Sequence, residues 1–488
     1  MQKNSLIAPI VFVCVAAAFV ASLSWGIWMR DSIRLDEAQS IWQTSRSLPG
    51  VMTIIARDVH TPLYFVILHF WEIAFGTSVA AIRTLSLIFF VLCIPAIFRL
   101  AELAYDCKTA YAVSVFTVVS PFLNWYGSEA RMYSLLLLLT IASHICFVLL
   151  WRSPTRKVWI GYSVVALLGT MTHFFFYFVI AAQVAFFLSH RRLFVEGAWR
   201  KFAWAGAPTM IATAAWFAFR EMVGLGTTNP ILERPSTVDL SNVFSHFFIG
   251  FQGDAVNTMY LSLWPVLVFV GFTFLARRKW AGPETVYLAI AALVPIALAF
   301  IVSFTYRPIF LSRYLLVCLP PLYLLVAHFL LSYRRALSNA LVAGVATLMV
   351  VMLAIQAVNP MSPVKEDYRS AVAYLEGSAK SQDLIVASAP FITYPIEYYY
   401  RGPSRIATFP RWERYTDVVL PPPYSEESLA EAMDEWSLIY RDVYFLFGYD
   451  QGYEEDVRIH LDTNYQRVDM REFSPGLSLY AYRLRYIE

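Results

Sequence analysis

The sequence predicts a mainly α-helical membrane protein that crosses the bilayer many times and ends in a small α/β domain. Of its 488 residues, 58% are hydrophobic and only 15% are charged, whereas soluble proteins average roughly 45–50% apolar and about 25% charged residues. The mean hydropathy is positive, at +0.54. After Asn359 the sequence becomes rich in charge, tyrosine and proline, which indicates a separate C-terminal domain.

Apolar segments up to residue 358 predict about eleven membrane spans, because a helix needs about 20 apolar residues to cross the hydrocarbon core. The first segment follows one lysine and has no small-residue cleavage site after it, so we predict a retained signal-anchor helix. The nearly continuous apolar segment 157–189 is divided at His173, a choice that the topology supports. The predicted spans are 6–29, 79–101, 109–126, 132–151, 157–172, 174–189, 202–219, 257–276, 284–305, 309–332 and 336–357.

The basic residues give these spans an orientation. If 157–189 crosses twice, four clusters of arginine and lysine fall on one side, which the positive-inside rule assigns to the cytoplasm. The loop 30–78, the link at His173 and everything after Asn359 then lie outside, together with each polar group that could carry chemistry. The four clusters are Arg152/Arg156/Lys157, Arg191/Arg192/Arg200/Lys201, Arg277/Arg278/Lys279 and Arg334/Arg335.

We therefore predict a transmembrane domain over residues 1–358, with a functional first outer loop at 30–78, and an outer α/β domain over residues 359–488. This last region has about 130 residues, which is enough for an independent core. Apolar residues at helical spacing predict a helix at Asp367–Gly377, short apolar segments predict buried strands at Asp383–Ala387 and Val443–Phe447, and alternation predicts a final strand at Leu477–Leu484.

Several function classes gain no support from the sequence. The net charge of +3 is too small to indicate a nucleic-acid partner. The five cysteines form no Cys-x-x-Cys pair, so neither a zinc knuckle nor a disulfide framework is indicated. The C-terminal region has no P-loop and no glycine-rich nucleotide-binding sequence. We find no internal repeat that would indicate an inverted-repeat transporter.

The first outer loop contains the first candidate site residues, since polar groups beside hydrocarbon must lie in water or in a wet cavity. Asp36 and Glu37 would lie on different sides of a helix, and we choose Asp36 as a general base or metal-binding carboxylate. Asp58 and His60 follow, and His60 with His173 suits zinc or a related divalent ion. The alternatives are solvated carboxylates and a structural, hydrogen-bonded histidine.

The segment Asn124–Tyr133 places an acid, an arginine and aromatic residues at the start of a span. Glu129 and Tyr133 are four residues apart and share a helix face, while Arg131 points away from both. The segment is a candidate site with a second carboxylate. The alternative is an interfacial belt, in which Trp and Tyr anchor the helix end and the arginine reaches back to water.

The segment Tyr306–Tyr314 carries Arg307 and Arg313 at the start of an apolar segment. An arginine side chain is planar and grips phosphate oxygens in pairs. An unpaired charge this close to hydrocarbon is costly, so Arg313 is expected to have an anionic partner. That partner would be a protein carboxylate or a lipid phosphate, and we predict a phosphate.

Together these segments resemble the C-type superfamily of membrane glycosyltransferases, most closely the branch with the protein O-mannosyltransferases and the lipid A aminoarabinose transferases. The likeness extends over the membrane half of the chain, in order and spacing. It rests on Leu35-Asp36-Glu37-Ala38, His60-Thr61-Pro62-Leu63-Tyr64, Ser128-Glu129-Ala130-Arg131-Met132-Tyr133-Ser134-Leu135 and Ser312-Arg313-Tyr314-Leu315-Leu316, with Pro320-Pro321 after the last.

The resemblance implies the C-type glycosyltransferase fold and transfer of a sugar from a polyprenyl-phosphate donor to a glycan, lipid or protein acceptor. The reaction would take place at the outer face of a bacterial cytoplasmic membrane, among membrane lipids, with the C-terminal domain in the periplasm. Catalytic carboxylates are implied at Asp36 and Glu129. The implied donor-phosphate contacts are Arg313, Arg307, Arg131 and Tyr314, the implied acceptor or site-lining residues are Glu37, Asp58, Tyr64 and Tyr133, and the implied ligands of a divalent metal ion are His60 and His173.

The sequence also departs from these relatives in two ways. It has His60-Thr61 where the aminoarabinose transferases have an acidic residue and a lysine before the proline, which argues against lipid A as the acceptor. It has no large central lumenal domain of the eukaryotic mannosyltransferase kind, so a bacterial glycan or lipid acceptor is favoured.

Two other protein classes would share the many spans. A transporter or flippase of a lipid-linked sugar is the main alternative, but it would need charged or broken helices near the bilayer midplane. The interior of the predicted spans is almost free of charge. A lipid-binding structural subunit would not explain why Asp36 and Glu129 both lie on the outer side.

Overall fold

The computed structural model describes residues 7–224, 233–253, 256–260, 262, 282–361, 363–414 and 421–484. These residues form two compact units, which are described separately. The membrane unit contains the described residues of 1–29, 48–224 and 230–358. The second unit contains residues 30–47 and the described residues of 359–488. The first part of the first outer loop therefore folds with the C-terminal residues.

The membrane unit is helical, and six of its described helices are long and apolar enough to cross a membrane. These helices expose large apolar side chains, such as Trp204 and Met210, as is expected of surfaces that contact lipid. The mainly helical membrane architecture predicted from the sequence is confirmed. The six helices are Ile7–Ile27, Val79–Ala104, Tyr133–Arg152, Ala198–Val223, Pro283–Thr305 and Arg335–Val358. Shorter helices are Leu48–Arg57, Leu63–Phe75, Cys107–Val119, Pro121–Ser128, Arg156–Thr170, Phe176–Ser189, Thr237–Ile249 and Leu319–Leu330.

Two predicted spans differ from the observed helices. The span predicted at 109–126 is broken at Ser120, whose Oγ accepts the backbone N–H of Leu123 at 3.1 Å and caps a new helix that starts at Pro121. The span predicted at 309–332 starts as irregular backbone and becomes helical only at Tyr314. The span predicted at 257–276 lies outside the described residues, apart from 257–260 and 262.

The first outer loop is more ordered than its polar sequence suggests. It contains the helices Leu35–Thr44, Leu48–Arg57 and Leu63–Phe75. The last of these is apolar but has only 13 residues, too few to cross a bilayer that needs about 20. Its length explains why the span criterion did not detect it.

The C-terminal part of the second unit is an α/β domain, as predicted. Its strands are β1 Leu384–Ser388, β2 Arg405–Thr408, β3 Asp442–Gly448, β4 Gln466–Ser474 and β5 Leu477–Arg483. They form a five-stranded sheet in the order β2-β1-β3-β5-β4, in which β2, β1 and β3 are parallel and β5 and β4 are antiparallel to their neighbours. Apolar clusters cover both faces, so β1 and β3 are buried throughout. The helices of this part are Tyr368–Ser378, Thr393–Tyr399, Glu426–Ile439 and Glu454–Asn464.

Candidate active site

The loop between the helices Leu48–Arg57 and Leu63–Phe75 forms one wall of a buried polar cluster in the membrane unit. It carries Asp58 and His60, which are both buried and whose Oδ2 and Nε2 atoms are 3.7 Å apart. The backbone N–H of Leu63 donates to the carbonyl of Met171 at 2.9 Å. This bond joins the loop to the link between two further helices, where His173 lies.

His60 is held between two arginines. Nη2 of Arg131 lies 3.2 Å from Nε2 of His60, and Nη1 of Arg220 donates to the His60 carbonyl at 3.4 Å. A guanidinium group has donors and no acceptor, so Nε2 of His60 accepts from Arg131. The imidazole is then neutral, and it orients Arg131 without cancelling its charge.

His173 lies in the link between the helices Arg156–Thr170 and Phe176–Ser189. Its Nδ1 accepts the backbone N–H of Phe175 at 3.1 Å. Burial lowers the pKa of His173 to about 3, and the positive charges of nearby Arg131 and Arg313 contribute to the lowering. His173 is therefore neutral at pH 7, in surroundings whose field favours a negative charge.

Arg313 stands at the start of the short 3₁₀ helix Tyr314–Cys318. Its guanidinium carbon is 5.5 Å from the ring centre of Tyr314, and that ring lies 5.0 Å from the ring of His173. The preceding Ser312 is within hydrogen-bond distance of His246, with 2.8 Å between Oγ and Nδ1. Arg313 thus belongs to the same cluster as His173 and Arg131.

Tyr64 and Tyr133 support this cluster from the inside. The hydroxyl of Tyr64 is 3.0 Å from Oγ of Ser86, and Ser86 in turn donates to the carbonyl of Arg131 at 3.4 Å. Tyr64 is fully buried, and through Ser86 it supports the backbone of Arg131. The ring of Tyr133 lies 6.5 Å from that of His173.

Glu129 is buried and lies at the end of the helix Pro121–Ser128, in extended conformation. The backbone N–H of Arg131 donates to its carbonyl at 2.7 Å, so this tight turn links the second candidate carboxylate to the arginine of the cluster. Arg307 is half-buried and belongs to the irregular segment before Arg313.

Asp36 and Glu37 belong to the second unit and lie in the first turn of the helix Leu35–Thr44. Glu37 is fully buried, and its Oε2 accepts the backbone N–H of Arg34 at 2.9 Å. It therefore caps its own helix. Asp36 is only half-buried, so of the two carboxylates it is the one that retains exposure to solvent.

The structure brings together Asp58, His60, Arg131, His173, Arg313, Tyr314 and Tyr133 in the membrane unit. Arg220 and His246, which also belong to this cluster, were not predicted from the sequence. Arg220 could have been noticed as a charged residue in the last turn of a long apolar helix, where charge usually has a function. His246 has no such signal, because its helix Thr237–Ile249 is an ordinary amphipathic sequence.

The residues predicted to bind a metal ion do not form a metal site here. Among the described residues, no group of three or more His, Cys, Asp or Glu side chains could hold a metal ion. The guanidinium of Arg131 stands at Nε2 of His60, and Nδ1 of His173 already accepts a backbone N–H. A cation at this position would also be repelled by the arginines.

No protein-family model and no curated protein matches the chain, but solved structures do. ArnT from Cupriavidus metallidurans in the apo state matches with a TM-score of 0.61 at 12% identity, over 98% of each chain. The same protein bound to undecaprenyl phosphate matches at 0.58 and 11% identity, over 99% of this chain and 98% of that one. The chain has the C-type glycosyltransferase fold.

A second protein with the C-type glycosyltransferase fold supports the same conclusion. The Archaeoglobus fulgidus oligosaccharyltransferase, in complex with Zn and sulfate, matches with a TM-score of 0.55 at 14% identity. This match covers 93% of the present chain and 70% of the archaeal one. The resemblance inferred from short segments of the sequence is therefore confirmed at the level of the fold.

Proposed function

We propose that the protein is an integral membrane glycosyltransferase that moves a sugar from a polyprenyl-phosphate donor to a glycan, lipid or protein acceptor. The observation that carries this proposal is the basic cluster of Arg131, Arg220 and Arg313 around two histidines, in which Arg131 and Arg220 are buried and Arg313 is half-buried. A cluster of three arginines favours a bound anion in addition to the buried carboxylate of Asp58, which already acts on Arg220. ArnT, which shares the fold over its whole length, was solved with undecaprenyl phosphate, and a polyprenyl phosphate supplies such an anion.

In the proposed reaction an acceptor hydroxyl attacks the anomeric carbon of the donor sugar. The new bond joins the acceptor oxygen to that carbon, and the bond from the carbon to the phosphate oxygen breaks. The phosphate leaves with one more negative charge, which Arg131 and Arg313 stabilise by charge-assisted hydrogen bonds. The hydroxyl proton passes to a carboxylate that acts as general base.

Asp36 is the proposed base. It retains solvent exposure in the second unit, whereas Glu37 caps a helix. Glu129, whose carbonyl accepts the backbone N–H of Arg131 in a tight turn, is the second candidate. Arg307 and Tyr314 are proposed as further donor-phosphate contacts, and Asp58 and Tyr133 as residues that line the site.

The proposed setting is the outer face of the bacterial cytoplasmic membrane, with the C-terminal domain in the periplasm. The distribution of arginine and lysine along the sequence supports this orientation. We propose no step through a metal ion. The lone pair that each imidazole would offer to a metal, on Nε2 of His60 and on Nδ1 of His173, already accepts a hydrogen bond.

Transfer of label from an isotope-labelled polyprenyl-phosphate sugar tests this function. Purified protein in lipid nanodiscs is incubated with the donor and with glycan, lipid and protein acceptors in separate reactions. We expect label in one acceptor class, together with released polyprenyl phosphate. In proteoliposomes, a flippase would instead move labelled donor across the bilayer without forming a glycosidic bond, and that result would contradict the proposal.

A further inference from the structure

Three aromatic residues follow the three parallel strands of the C-terminal sheet. β1 ends at Ser388, and Phe391 lies in the 3₁₀ helix Pro390–Ile392 just after it. Trp412 comes four residues after the end of β2, and Tyr449 comes directly after β3. The carboxyl ends of parallel strands meet at the same edge of a sheet, so these three side chains come together there. We call Phe391, Trp412 and Tyr449 the aromatic platform.

The rings of the aromatic platform contact one another and are partly exposed. The ring centre of Phe391 lies 5.2 Å from that of Trp412 and 6.2 Å from that of Tyr449, and both pairs are edge-to-face. Tyr449 is 47% exposed, while Phe391 and Trp412 are half-buried. A contiguous group of exposed apolar side chains on a polar domain is a common mark of a binding surface.

The backbone of Tyr449 is a second and independent sign of function. Its φ angle is 55°, in the left-handed region that bulky residues rarely adopt and that glycine adopts readily. Among the described residues, Tyr449 is the one non-glycine residue with a positive φ. Such conformations are strained, and they concentrate at ligand-binding and catalytic sites.

The aromatic platform lies where open α/β sheets bind their ligands. β1 connects through the helix Thr393–Tyr399 to β2 on one side, and β2 connects through the helix Glu426–Ile439 to β3 on the other side of β1. The strand order therefore reverses between β1 and β3, and ligands of such sheets bind in the crevice outside the carboxyl ends at this point. The backbone N–H of Ala389 donates to the carbonyl of Gly448 at 3.3 Å, which joins the ends of the two strands.

A guanidinium and a carboxylate border the aromatic platform. Tyr394 is buried and packs against Trp412, with 6.1 Å between ring centres. The guanidinium carbon of Arg414 lies 5.2 Å from the centre of the Tyr394 ring, and Arg414 forms an ion pair with Glu397. This combination suits a sugar. The polarised C–H bonds on one face of a pyranose pack against an electron-rich ring face, while its hydroxyls accept from a guanidinium and donate to a carboxylate.

The support of the platform also carries the proposed base. The ring of Trp42 packs against that of Tyr394, with 5.1 Å between ring centres. Trp42 belongs to the helix Leu35–Thr44, which contains Asp36 six residues earlier. Six residues of α-helix rise by about 9 Å, a distance that a short oligosaccharide covers. Both the aromatic platform and Asp36 lie in the second unit.

We propose that the aromatic platform binds a glycan, and that this glycan is the acceptor whose hydroxyl is presented to Asp36. The second half of this inference rests on the proposed function, whereas glycan binding itself does not. An extended peptide would add to an edge strand of the sheet, but the platform lies beyond the ends of the strands. An acyl chain would have no use for the ion pair of Arg414 and Glu397 at the border of the platform.

Glycan binding by the full-length protein in lipid nanodiscs tests this proposal without a donor. The probes are arrayed oligosaccharides from bacterial cell-envelope polysaccharides, with synthetic peptides on the same array. We expect the wild type to bind oligosaccharides and not peptides. Calorimetry with the oligosaccharide that gives the strongest signal then provides the affinities of the variants.

Two variants remove a ring from the aromatic platform. Tyr449→Gly does so at a position whose backbone favours glycine, so its unfolding temperature should not fall, and Trp412→Ala does so on the next loop. Each should bind the oligosaccharide about tenfold more weakly, and Tyr449→Phe, which keeps the ring, should bind nearly as well as the wild type. Tyr465→Ala is the matched control, because this half-buried tyrosine precedes β4 at the opposite edge of the sheet, and it should keep the wild-type affinity.

The proposal is overturned if no oligosaccharide binds, if only peptides bind, or if Tyr449→Gly and Trp412→Ala both keep the wild-type affinity. The label-transfer assay separates this result from a failure of the proposed function. Transfer to a lipid or protein acceptor without glycan binding would overturn the glycan platform and leave the glycosyltransferase function intact. Glycan binding that both variants lose, with no label in any acceptor class, would instead contradict the proposed function and leave the platform as a glycan-binding site.

Discussion

Arg131 and His60 are 71 residues apart in sequence, yet Nη2 of the first lies 3.2 Å from Nε2 of the second. The pair joins the two segments that the sequence analysis treated as separate candidates, one in the first outer loop and one after the third predicted span. Because arginine can only donate, His60 uses its lone pair to orient one edge of the guanidinium. Because the imidazole in this pair is neutral, Arg131 keeps its positive charge.

The first prediction concerns this orienting role. His60→Ala removes the acceptor but keeps the arginine, so we expect the apparent donor affinity to fall about tenfold, the low end for a hydrogen bond to a charged group. His60→Gln should recover most of the affinity, because the amide oxygen can accept from Arg131. Donor titrations of the purified variants measure both effects. His60 is a metal ligand instead if His60→Gln loses as much donor affinity as His60→Ala and if added zinc restores the activity of wild-type protein treated with a chelator.

The second prediction is that Arg313→Ala weakens donor binding more than it harms folding. The loss of a charge-assisted contact to phosphate should cost about 1.5–3 kcal/mol, a roughly ten- to hundredfold loss of affinity. Lys should restore part of it, because it keeps the charge without the fork. Arg334→Ala, an exposed arginine, is the control. Unchanged donor affinity together with a collapsed expression level would identify Arg313 as a structural residue.

The third prediction follows from the neutral His173. Burial holds its folded-state pKa at about 3, below the value of about 6.5 in an unfolded chain. The unfolded state therefore binds the extra proton first as pH falls, so stability is full above about pH 6.5 and is lost progressively towards pH 3. His173→Gln should lower this acid sensitivity. Thermal unfolding of both proteins between pH 7 and pH 4.5 measures it, and parallel curves would contradict the assignment.

Local sequence could predict those site residues that lie near the beginning or end of an apolar segment. Asp36, His60, Glu129 and Arg313 each stand where an apolar segment begins or ends, so composition alone marks them. Arg220 reaches His60 across 160 positions of sequence, and a contact of this kind depends on helix packing that no local pattern encodes. The sequence contained the residue without indicating its partner.

The fold shows the same division between local and long-range information. The helix at residues 367–377 and the buried strands at 383–387 and 443–447 were found within a residue or two of their predicted bounds. An amphipathic helix shows a 3.6-residue periodicity, and a fully buried strand shows a short continuous apolar run, so both have a local signal. The strand β2 was not predicted, and neither was β4, whose residues are mostly exposed. Residues 30–47 join the C-terminal residues in one unit, although nothing in their own sequence distinguishes them from the rest of the outer loop.

The fourth prediction tests the orientation of the chain. Cysteine introduced at Ser47, which is exposed, or at Val468 on β4 should react with a membrane-impermeant thiol reagent in intact cells. The native Cys107 is exposed as well but is predicted to lie on the cytoplasmic side, so it should react only after the cells are permeabilised. Protection of either introduced cysteine in intact cells would contradict the proposed orientation of the second unit.

The last prediction is that Asp36 is the residue that the reaction can least do without. A sugar on a phosphate already has a good leaving group, so the protein must mainly position the acceptor and take its proton. Asp36→Asn keeps the shape of the side chain and removes its basicity.

We expect Asp36→Asn to lose at least about a hundredfold in rate, the low end for a missing general base, with donor affinity nearly intact because the basic cluster is unchanged. Glu37→Gln differs in kind: Glu37 is buried and caps its helix, so any loss should appear as reduced thermal stability, with a smaller effect on the rate of the folded protein. Single-turnover rates and donor titrations separate these effects. If Asp36→Asn turns over normally while Glu129→Gln is inactive, the base is Glu129, and the acceptor proton leaves beside Arg131 in the membrane unit.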